Sequence, residues 1–407
     1  MKRIRFLTSG ESHGRALSGI IEGIPSGVPL ASADIDIDLK RRQGGYGRGG
    51  RMKIESDHAD ILSGVRKGKT LGSPIALMIE NRDWVNWQTV MGVEYSEQET
   101  ETADSKHKQV TKPRPGHADL AGAIKYDTHD IRDILERSSA RETAMRVALG
   151  AVAKKFLSDF KILTGSYVVR LGSLRTAVSS RKMRDDQLIE IFHKAEKSPV
   201  RCPDSAVSKK MVALIDAAMK KGDSLGGLFE VFVTGLPPGL GSHIQWDRRL
   251  DGRLAQAVMG IQAMKGVEIG SGFEMAGRSG SKVMDEIFCA AKGNMLNGKE
   301  KGFYRKTNYA GGIEGGMTNG MPVILRAAMK PIPTLRRPLR SVDIRTKEAI
   351  EAMYERSDIC AVPAAGVIGE AMVALTIADA FLEKFGGDSL SEVRRNYESY
   401  IEYVNSF

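Results

Sequence analysis

The chain predicts an α+β protein in which long buried helices pack among apolar strands. Three observations lead there. Three stretches carry apolar residues at helical spacing, and one of them, from Val367 to Phe385, is apolar almost all round, as a helix enclosed between layers must be. Short β-rich runs, Gly226 to Leu236 and Pro322 to Ala328, supply strands for sheets. Short motifs also recur in the same order in both halves of the chain.

Taken in order, the amino-terminal Met1-Lys2-Arg3-Ile4-Arg5-Phe6-Leu7 gives way at once to polar residues, with no apolar stretch long enough for a signal peptide or membrane span. A cytoplasmic protein without membrane contact is expected. Ile21-Glu22-Gly23-Ile24-Pro25-Ser26-Gly27-Val28-Pro29 resembles Val233-Thr234-Gly235-Leu236-Pro237-Pro238-Gly239-Leu240-Gly241. Gly72-Ser73-Pro74-Ile75-Ala76-Leu77 resembles Gly320-Met321-Pro322-Val323-Ile324-Leu325, an apolar strand entered through proline. Glu136-Arg137-Ser138 and Glu355-Arg356-Ser357 each precede an alanine-rich helical pattern. One domain with an internal pseudo-duplication is therefore expected, its halves at about 17–160 and 229–386 and a connecting region at about 161–228. Met91 to Lys112, rich in Glu, Thr, Ser and Lys, has no period and reads as an exposed excursion. From Ser139 to Phe156, Met145, Leu149, Val152 and Phe156 mark a helix; Leu254, Val258 and Ile261 mark another from Leu250 to Met264. The connecting region carries an amphipathic helix from Ser208 to Lys220.

The 407 residues bury a substantial core, and the net charge of +10 points to an anionic partner. Its distribution narrows the choice. Arginines gather in glycine-rich loops rather than long basic runs, and at 6% the aromatic content leaves few platforms for stacking bases, so concentrated anion binding fits better than a nucleic-acid groove. Cys202, Cys289 and Cys360 are far apart and in no metal-ligand spacing, which indicates neither a disulfide framework nor a zinc site.

Chemistry concentrates in two loops, Gly10-Glu11-Ser12-His13-Gly14 and Arg114-Pro115-Gly116-His117-Ala118-Asp119, with Arg41-Arg42-Gln43-Gly44-Gly45-Tyr46-Gly47-Arg48-Gly49-Gly50-Arg51 between them. A histidine titrates near neutral pH and so can give or take a proton during catalysis. Glycines let the backbone approach a ligand closely, and arginine forks match phosphates and carboxylates. The bland alternative is a pair of surface or capping histidines.

With Glu136-Arg137-Ser138-Ser139-Ala140-Arg141-Glu142-Thr143, Gly315-Gly316-Met317-Thr318-Asn319-Gly320, Met329-Lys330-Pro331-Ile332-Pro333-Thr334 and Arg356-Ser357-Asp358, these loops resemble chorismate synthase, in order, from residue 3 to about 388. The resemblance implies a β-α-β sandwich, with long central helices covered by antiparallel sheets, assembled as a homotetramer. It implies a lyase of aromatic amino acid biosynthesis: 5-enolpyruvylshikimate 3-phosphate loses phosphate and a C6 proton in a 1,4-trans elimination to give chorismate. Reduced FMN is required without net redox change, and NADPH enters only as a reductant of the flavin. Substrate and flavin together bring several phosphates and carboxylates into one pocket, and arginines offset their repulsion.

By the same resemblance, Arg42 and Arg48 grip the substrate phosphate or carboxylates, with Arg51, Arg114 and Arg141 as further candidates in that substrate or NADPH region. Arg41 and Arg51 are the ones most readily read as solvated surface charges. His13 matches the histidine that protonates the leaving phosphate, and His117 the one that protonates or orients reduced flavin near its N1 and C2 carbonyl. Ser12 and Ser139 join the catalytic set, Ser12 and Asp119 being neighbours able to hold the histidines; Asp119 can equally close a local turn. Asp358 matches the aspartate that helps flavin N5 accept the substrate proton, or else it caps the final long helix. The flavin site carries over to Arg137, Ser138, Ser139, Gln262, Ala263, Gly315, Lys330, Pro331, Ile332, Pro333, Thr334 and Arg356, Gln262 departing from the asparagine of many members.

Two competing classes remain: an FMN oxidoreductase with net electron transfer, and a basic nucleic-acid binder whose affinity falls steeply with salt. No Gly-x-Gly-x-x-Gly fingerprint follows a strand, so no dedicated dinucleotide site is indicated. Reduction of the flavin by an external reductase is the expected route.

Overall fold

The computed structural model describes residues 3–49, 56–94, 109–290, 302–353 and 357–407. The first part runs β1 (Arg5–Ser9), β2 (Ala16–Glu22), α1 (Ser32–Gln43), β3 (Asp60–Ile61), β4 (Val65–Arg66), β5 (Lys69–Thr70) and β6 (Ile75–Glu80). Four helices follow, α2 (Gln88–Met91), α3 (Asp119–Tyr126), α4 (Arg132–Ser138) and α5 (Thr143–Ser158), then β7 (Leu163–Leu171), β8 (Leu174–Arg175), α6 (Asp185–Glu196) and α7 (Ser205–Lys221). The second part continues with β9 (Gly227–Thr234), α8 (Leu250–Met259), β10 (Met264–Ile269), α9 (Phe273–Ala276), β11 (Ile287–Ala290), β12 (Gly302–Arg305), β13 (Ile313–Glu314), β14 (Met317–Thr318) and β15 (Val323–Met329). It closes with β16 (Arg340–Val342), β17 (Ala349–Glu351), α10 (Val362–Phe385) and α11 (Leu390–Ser406).

Helices and antiparallel sheets combine as an α+β fold. One sheet orders its strands β1-β2-β6-β3, the other β10-β15-β9-β7-β8. Helices α5 and α10 pack on each other, α5 also meeting β2 and β6 while α10 meets β7 and β9. The helices come so close that a Cβ on Gly150 would collide with Ala371. Met145, Leu149, Val152 and Phe156 are all fully buried, as their spacing requires. By length and hydropathy α10 could cross a membrane, but 94% of its apolar window is buried inside the fold, which identifies it as the core helix.

The two sheets carry the segments that resemble each other in sequence. Ile21 pairs with Ile75 in the first, and Val233 with Val323 in the second. The loops leaving β2 and β9 turn at Gly27 and Gly239, each at φ 87°. A lysine-free apolar pattern could not show that β7, inside the stretch read as a connector, is a central strand pairing with β9 as β1 pairs with β2.

Several expectations are corrected. The helix from Leu250 stops at Met259, since the chain turns at Gly260 and Ala263 takes the left-handed conformation, leaving Met264 to open β10. Of the segment 91–112, residues 95–108 lie outside the described structure; Gly92, Val93, Glu94, Gln109 and Lys112 are exposed as expected, and only Val110 among the described ones is buried, against Ile131 and Leu135. Arg41 is no solvated surface charge. Its guanidinium bonds Asp38 at 2.5 Å, Glu370 at 2.8 Å and Glu196 at 2.9 Å, and the fully buried Glu370 of α10 also receives Lys154 at 2.6 Å, Ser166 Oγ at 2.6 Å and Arg201 at 3.1 Å. A carboxylate inside an apolar helix persists because three cations and a hydroxyl satisfy it.

Candidate active site

The loop between β1 and β2 carries His13. Its ring Nδ1 lies 2.9 Å from Glu136 Oε1, and its backbone N–H donates to Glu136 Oε2 at 2.8 Å. Ser12 N–H donates to the Glu136 carbonyl at 3.1 Å, so α4 and the loop are locked together. Trp87 stacks on the imidazole at 3.9 Å between ring centroids. Glu136 is 2% exposed; burial would raise its carboxyl, but the hydrogen bonds and charge of His13, with Arg132, outweigh that and lower it. The carboxylate of Glu136, rather than the hydroxyl of Ser12, thus grips His13. Ser12 Oγ instead accepts from Ser139 Oγ at 3.2 Å, and Ser139 caps the short turn ahead of α5 by accepting from Arg141 N–H at 3.3 Å.

Beside this loop sits a cluster of guanidinium groups. Asn81 spans the gap, donating to the Gly14 carbonyl at 2.6 Å and accepting from Arg141 Nε at 3.0 Å. Arg141 also bonds buried Asp57 at 2.6 Å. From the end of α1, Arg42 donates to Thr143 Oγ1 at 3.0 Å and to the Ala140 carbonyl at 2.9 Å. Among the described residues its buried Nη1 has no hydrogen-bond partner, Asp57 Oδ2 standing 3.6 Å away. Burial and the charges of Arg48 and Arg141 push Arg42 down to about 10, against the pull of Asp57 and Asp358. It stays cationic at neutral pH, but the local potential is positive enough to favour an anion.

Arg48 and Asp358 join this cluster to a second one. The glycine loop after α1 is pinned by Ile359 N–H donating to the Gly47 carbonyl at 2.8 Å and Gly49 N–H donating to Asp358 Oδ1 at 2.7 Å, while Arg48 Nε stands 3.3 Å from Asp358 Oδ2. Asp358 does not cap the last long helix: Ala361 holds that place without a side-chain bond. Ser357 Oγ donates to the Thr334 carbonyl at 3.0 Å, and Arg114 Nη1 reaches Thr334 Oγ1 at 3.3 Å.

Arg114, His117 and Asp119 form a compact unit. The fully buried Asp119 accepts from Arg114 N–H at 3.0 Å, from Arg114 Nε at 2.8 Å and from His117 Nδ1, so it closes its own loop and holds the histidine at once. Burial would raise its carboxyl, yet the bonds from His117 and Arg114 keep it well below the usual carboxylate range. Lys330, just past β15, donates to the Gly116 carbonyl, and burial together with the charge of Lys265 lowers its pKa. Pro331 to Thr334 continue from it, with Ser224 Oγ donating to the Ile332 carbonyl at 2.6 Å.

The remaining candidates divide. Ser138 ends α4, its Oγ turned back on the Leu135 carbonyl at 3.4 Å, and Arg137 on the same helix donates to the carbonyls of Thr8 at 2.7 Å and Gly10 at 2.9 Å. Gln262 Nε2 bonds buried Glu142 at 3.1 Å, and next to it Ala263, at φ 67°, accepts from Lys330 N–H at 3.0 Å. Gly315 stands apart, in the turn between β13 and β14 that packs on the start of α8, where Leu250 N–H donates to the Gly316 carbonyl at 2.9 Å. Arg51 and Arg356 lie outside the described residues. Sequence reasoning passed over Glu136, Trp87, Asn81 and Asp57. Only Glu136 had a signal, its place in the motif quoted for Arg137 and Ser138.

Comparison with known proteins bears on this geometry. The family model described as chorismate synthase matches residues 4–382. The chorismate synthase of Geobacter sulfurreducens is 57% identical over 408 residues, covering 99% of this chain and all of that protein. That of Aquifex aeolicus is 56% identical over 410 residues, with both chains covered in full. A crystal structure of chorismate synthase superposes with a TM-score of 0.78 at 47% identity, covering 99% of each chain. With clustered arginines, two carboxylate-held histidines and this likeness along its whole length, the chain belongs to the chorismate synthase family, lyases that form chorismate from 5-enolpyruvylshikimate 3-phosphate with reduced FMN.

Proposed function

We propose that Arg42, Arg48 and Arg141 bind the phosphate and carboxylates of 5-enolpyruvylshikimate 3-phosphate, and that His13 gives its proton to the departing phosphate oxygen. The observation that carries this reading is the buried Nη1 of Arg42, which has no hydrogen-bond partner among the described residues; Arg48 and Arg141 add their charges beside it. A multiply charged anion relieves that crowding. Arg114, a further substrate candidate by resemblance, bonds Asp119, Thr334 and the His117 ring, so its part is to hold His117 in place.

The residues near Lys330 fit FMN. Lys330 beside Lys265 suits a phosphate, and the buried Gln262 Oε1, without a partner among the described residues, suits a donor of the ring system. Lys330 to Thr334, Arg137, Ser138, Ser139, Gln262 and Ala263 would hold FMN, which in its reduced form would supply electron density for the elimination. His117, kept in one orientation by Asp119, would orient or protonate the reduced flavin, and Asp358, fixed by Arg48 and Gly49, would assist uptake of the C6 proton. In the elimination the C–O bond breaks with its electron pair leaving on phosphate, His13 protonates that oxygen, and the C6–H electron pair enters the new double bond, the released proton being one that the bound reduced flavin would take up with Asp358 assisting.

Two equivalent halves within one β-α-β sandwich, and a homotetramer, complete the reading. Leu7 and Ile20, cross-strand partners, are 78% and 50% exposed on the outer face of the first sheet. The matching Phe232 of the second sheet is covered by Phe192 of α6. A neighbouring copy would cover Leu7 and Ile20, and Gly315, remote from the other flavin residues, would serve such a neighbour. The cell compartment is the cytoplasm, where an external reductase, with NADPH as electron source, keeps the flavin reduced.

Anaerobic incubation with substrate and photoreduced FMN tests this. Chorismate and phosphate should appear together with the flavin still reduced; flavin oxidised in step with product would overturn it. Turnover with oxidised FMN plus NADPH alone would remove the need for a separate reductase.

A further inference from the structure

A general acid must present one ring nitrogen to its substrate, and something must decide which. Around His13 that decision is made by residues to which no role has been given. Glu136, almost wholly buried on α4, meets two donors of the same residue: Oε2 accepts the backbone N–H at 2.8 Å, and the ring Nδ1 faces both oxygens, 2.9 Å from Oε1 and 3.0 Å from Oε2. Trp87 stacks on the ring at 23° to its plane and is itself tied through Nε1 to Asp83 at 3.0 Å. Arg132 stands 3.4 Å from Glu136 Oε1 and lies over the Trp87 ring at 5.3 Å, which keeps the carboxylate ionised and the indole in place.

We infer that Glu136, backed by Trp87 and Arg132, is the positioning residue that binds His13 as its Nδ1–H tautomer and so sends the catalytic proton out through Nε2. This rests on the reading of His13 as the acid. An ionised carboxylate has only acceptors. When imidazolium releases a proton, the one on Nδ1 is held by Glu136, so the one on Nε2 is the proton that moves to the phosphate oxygen. The neutral ring left behind is the tautomer Glu136 prefers. The backbone bond and the Trp87 stack fix the remaining freedom, the position of the loop and the plane of the ring.

Glu136→Gln exposes the logic, because a carboxamide offers one acceptor and one donor where two acceptors are needed. With its oxygen on the His13 backbone N–H, its NH2 group confronts Nδ1 and favours a proton on Nε2. Product-state His13 is then the wrong tautomer. The expected result is a fall in kcat on the order of a hundredfold or more, with substrate KM and FMN affinity within about twofold of wild type. ¹⁵N-histidine spectra, with His13 assigned by its loss in His13→Gln, should show the Nδ1–H tautomer in wild type and the Nε2–H tautomer in Glu136→Gln.

Wild-type kcat in a folded Glu136→Gln, while His13→Ala is crippled, would overturn the inference and leave His13 as the acid. Full activity in His13→Ala would instead sink the reading on which it rests. Should Glu136→Gln not fold, the wild-type spectrum still decides: a dominant Nε2–H tautomer for neutral His13 overturns the inference.

Discussion

Thr70 and Thr318, 248 residues apart in sequence, make the same pair of hydrogen bonds. Thr70 Oγ1 donates to the Pro25 carbonyl at 2.6 Å and accepts from Val28 N–H at 2.9 Å; Thr318 Oγ1 donates to the Pro237 carbonyl at 2.7 Å and accepts from Leu240 N–H at 2.8 Å. Each hydroxyl fastens the loop that follows an inner strand to a short hairpin beneath it.

Because both hydroxyls are buried, Thr→Val at either site keeps the shape and strands two polar groups. Each substitution should cost about 1–3 kcal/mol, and the pair should be additive because the sites share no partner. Urea midpoints of the two single variants and the double variant check this. A cost near zero at one site alone would show that the two loops are not anchored alike.

The Glu370 network predicts a larger effect. Glu370→Ala leaves Arg41, Lys154 and Arg201 facing one another in the core and should cost about 3–5 kcal/mol. Burial would raise the Glu370 carboxyl, but Arg41, Lys154 and Arg201 hold it far below its ordinary 4.5. A carboxylate with a depressed folded pKa contributes its full stability above its unfolded value and loses it as the pH falls toward the folded one. The stability gap between wild type and Glu370→Gln should therefore be constant at neutral pH and narrow below pH 4.5. Unfolding curves across an acid series measure it.

Arg42→Lys keeps a charge but cannot reach Thr143 Oγ1 and the Ala140 carbonyl together, as the planar fork does. A loss of about 1.4–2.8 kcal/mol in transition-state binding, a tenfold to hundredfold fall in kcat/KM, is expected from steady-state kinetics. Unchanged kcat/KM would remove Arg42 from the substrate site.

The two histidines should separate in their kinetics. His13→Ala should cut turnover by roughly 10²–10⁴ while FMN affinity holds, consistent with loss of a proton donor. Asp119→Asn, which leaves one acceptor where Arg114 and His117 use two, should weaken FMN binding about tenfold with a smaller effect on the chemical step. Fluorescence titration of FMN against each variant, beside single-turnover rates, distinguishes them; identical profiles would deny the histidines separate tasks.

How much could be read beforehand differs between scaffold and site. Helical periodicity placed α5 and α10 and their burial, since a stripe or an all-round apolar surface is a local property of the chain. The motifs also singled out His13, His117 and Arg42, because glycine-flanked titratable residues are conspicuous in one dimension. What fell outside was β7, whose role as a sheet strand depends on its partner β9, and the fate of Arg41, which looks identical to Arg42 in sequence but bonds Glu370 of α10 while Arg42 bonds Thr143 of α5.

By itself the sequence determined the class of fold, the family and the residue types of the site, all of which follow from local pattern and motif order. Only the tertiary structure decided which groups meet. Glu136 reaches His13 across 123 residues, Asp358 meets Gly49 across 309, and Glu370 gathers cations from three other parts of the chain. Such contacts are set by the packing of helices between sheets, and no spacing along the chain encodes them.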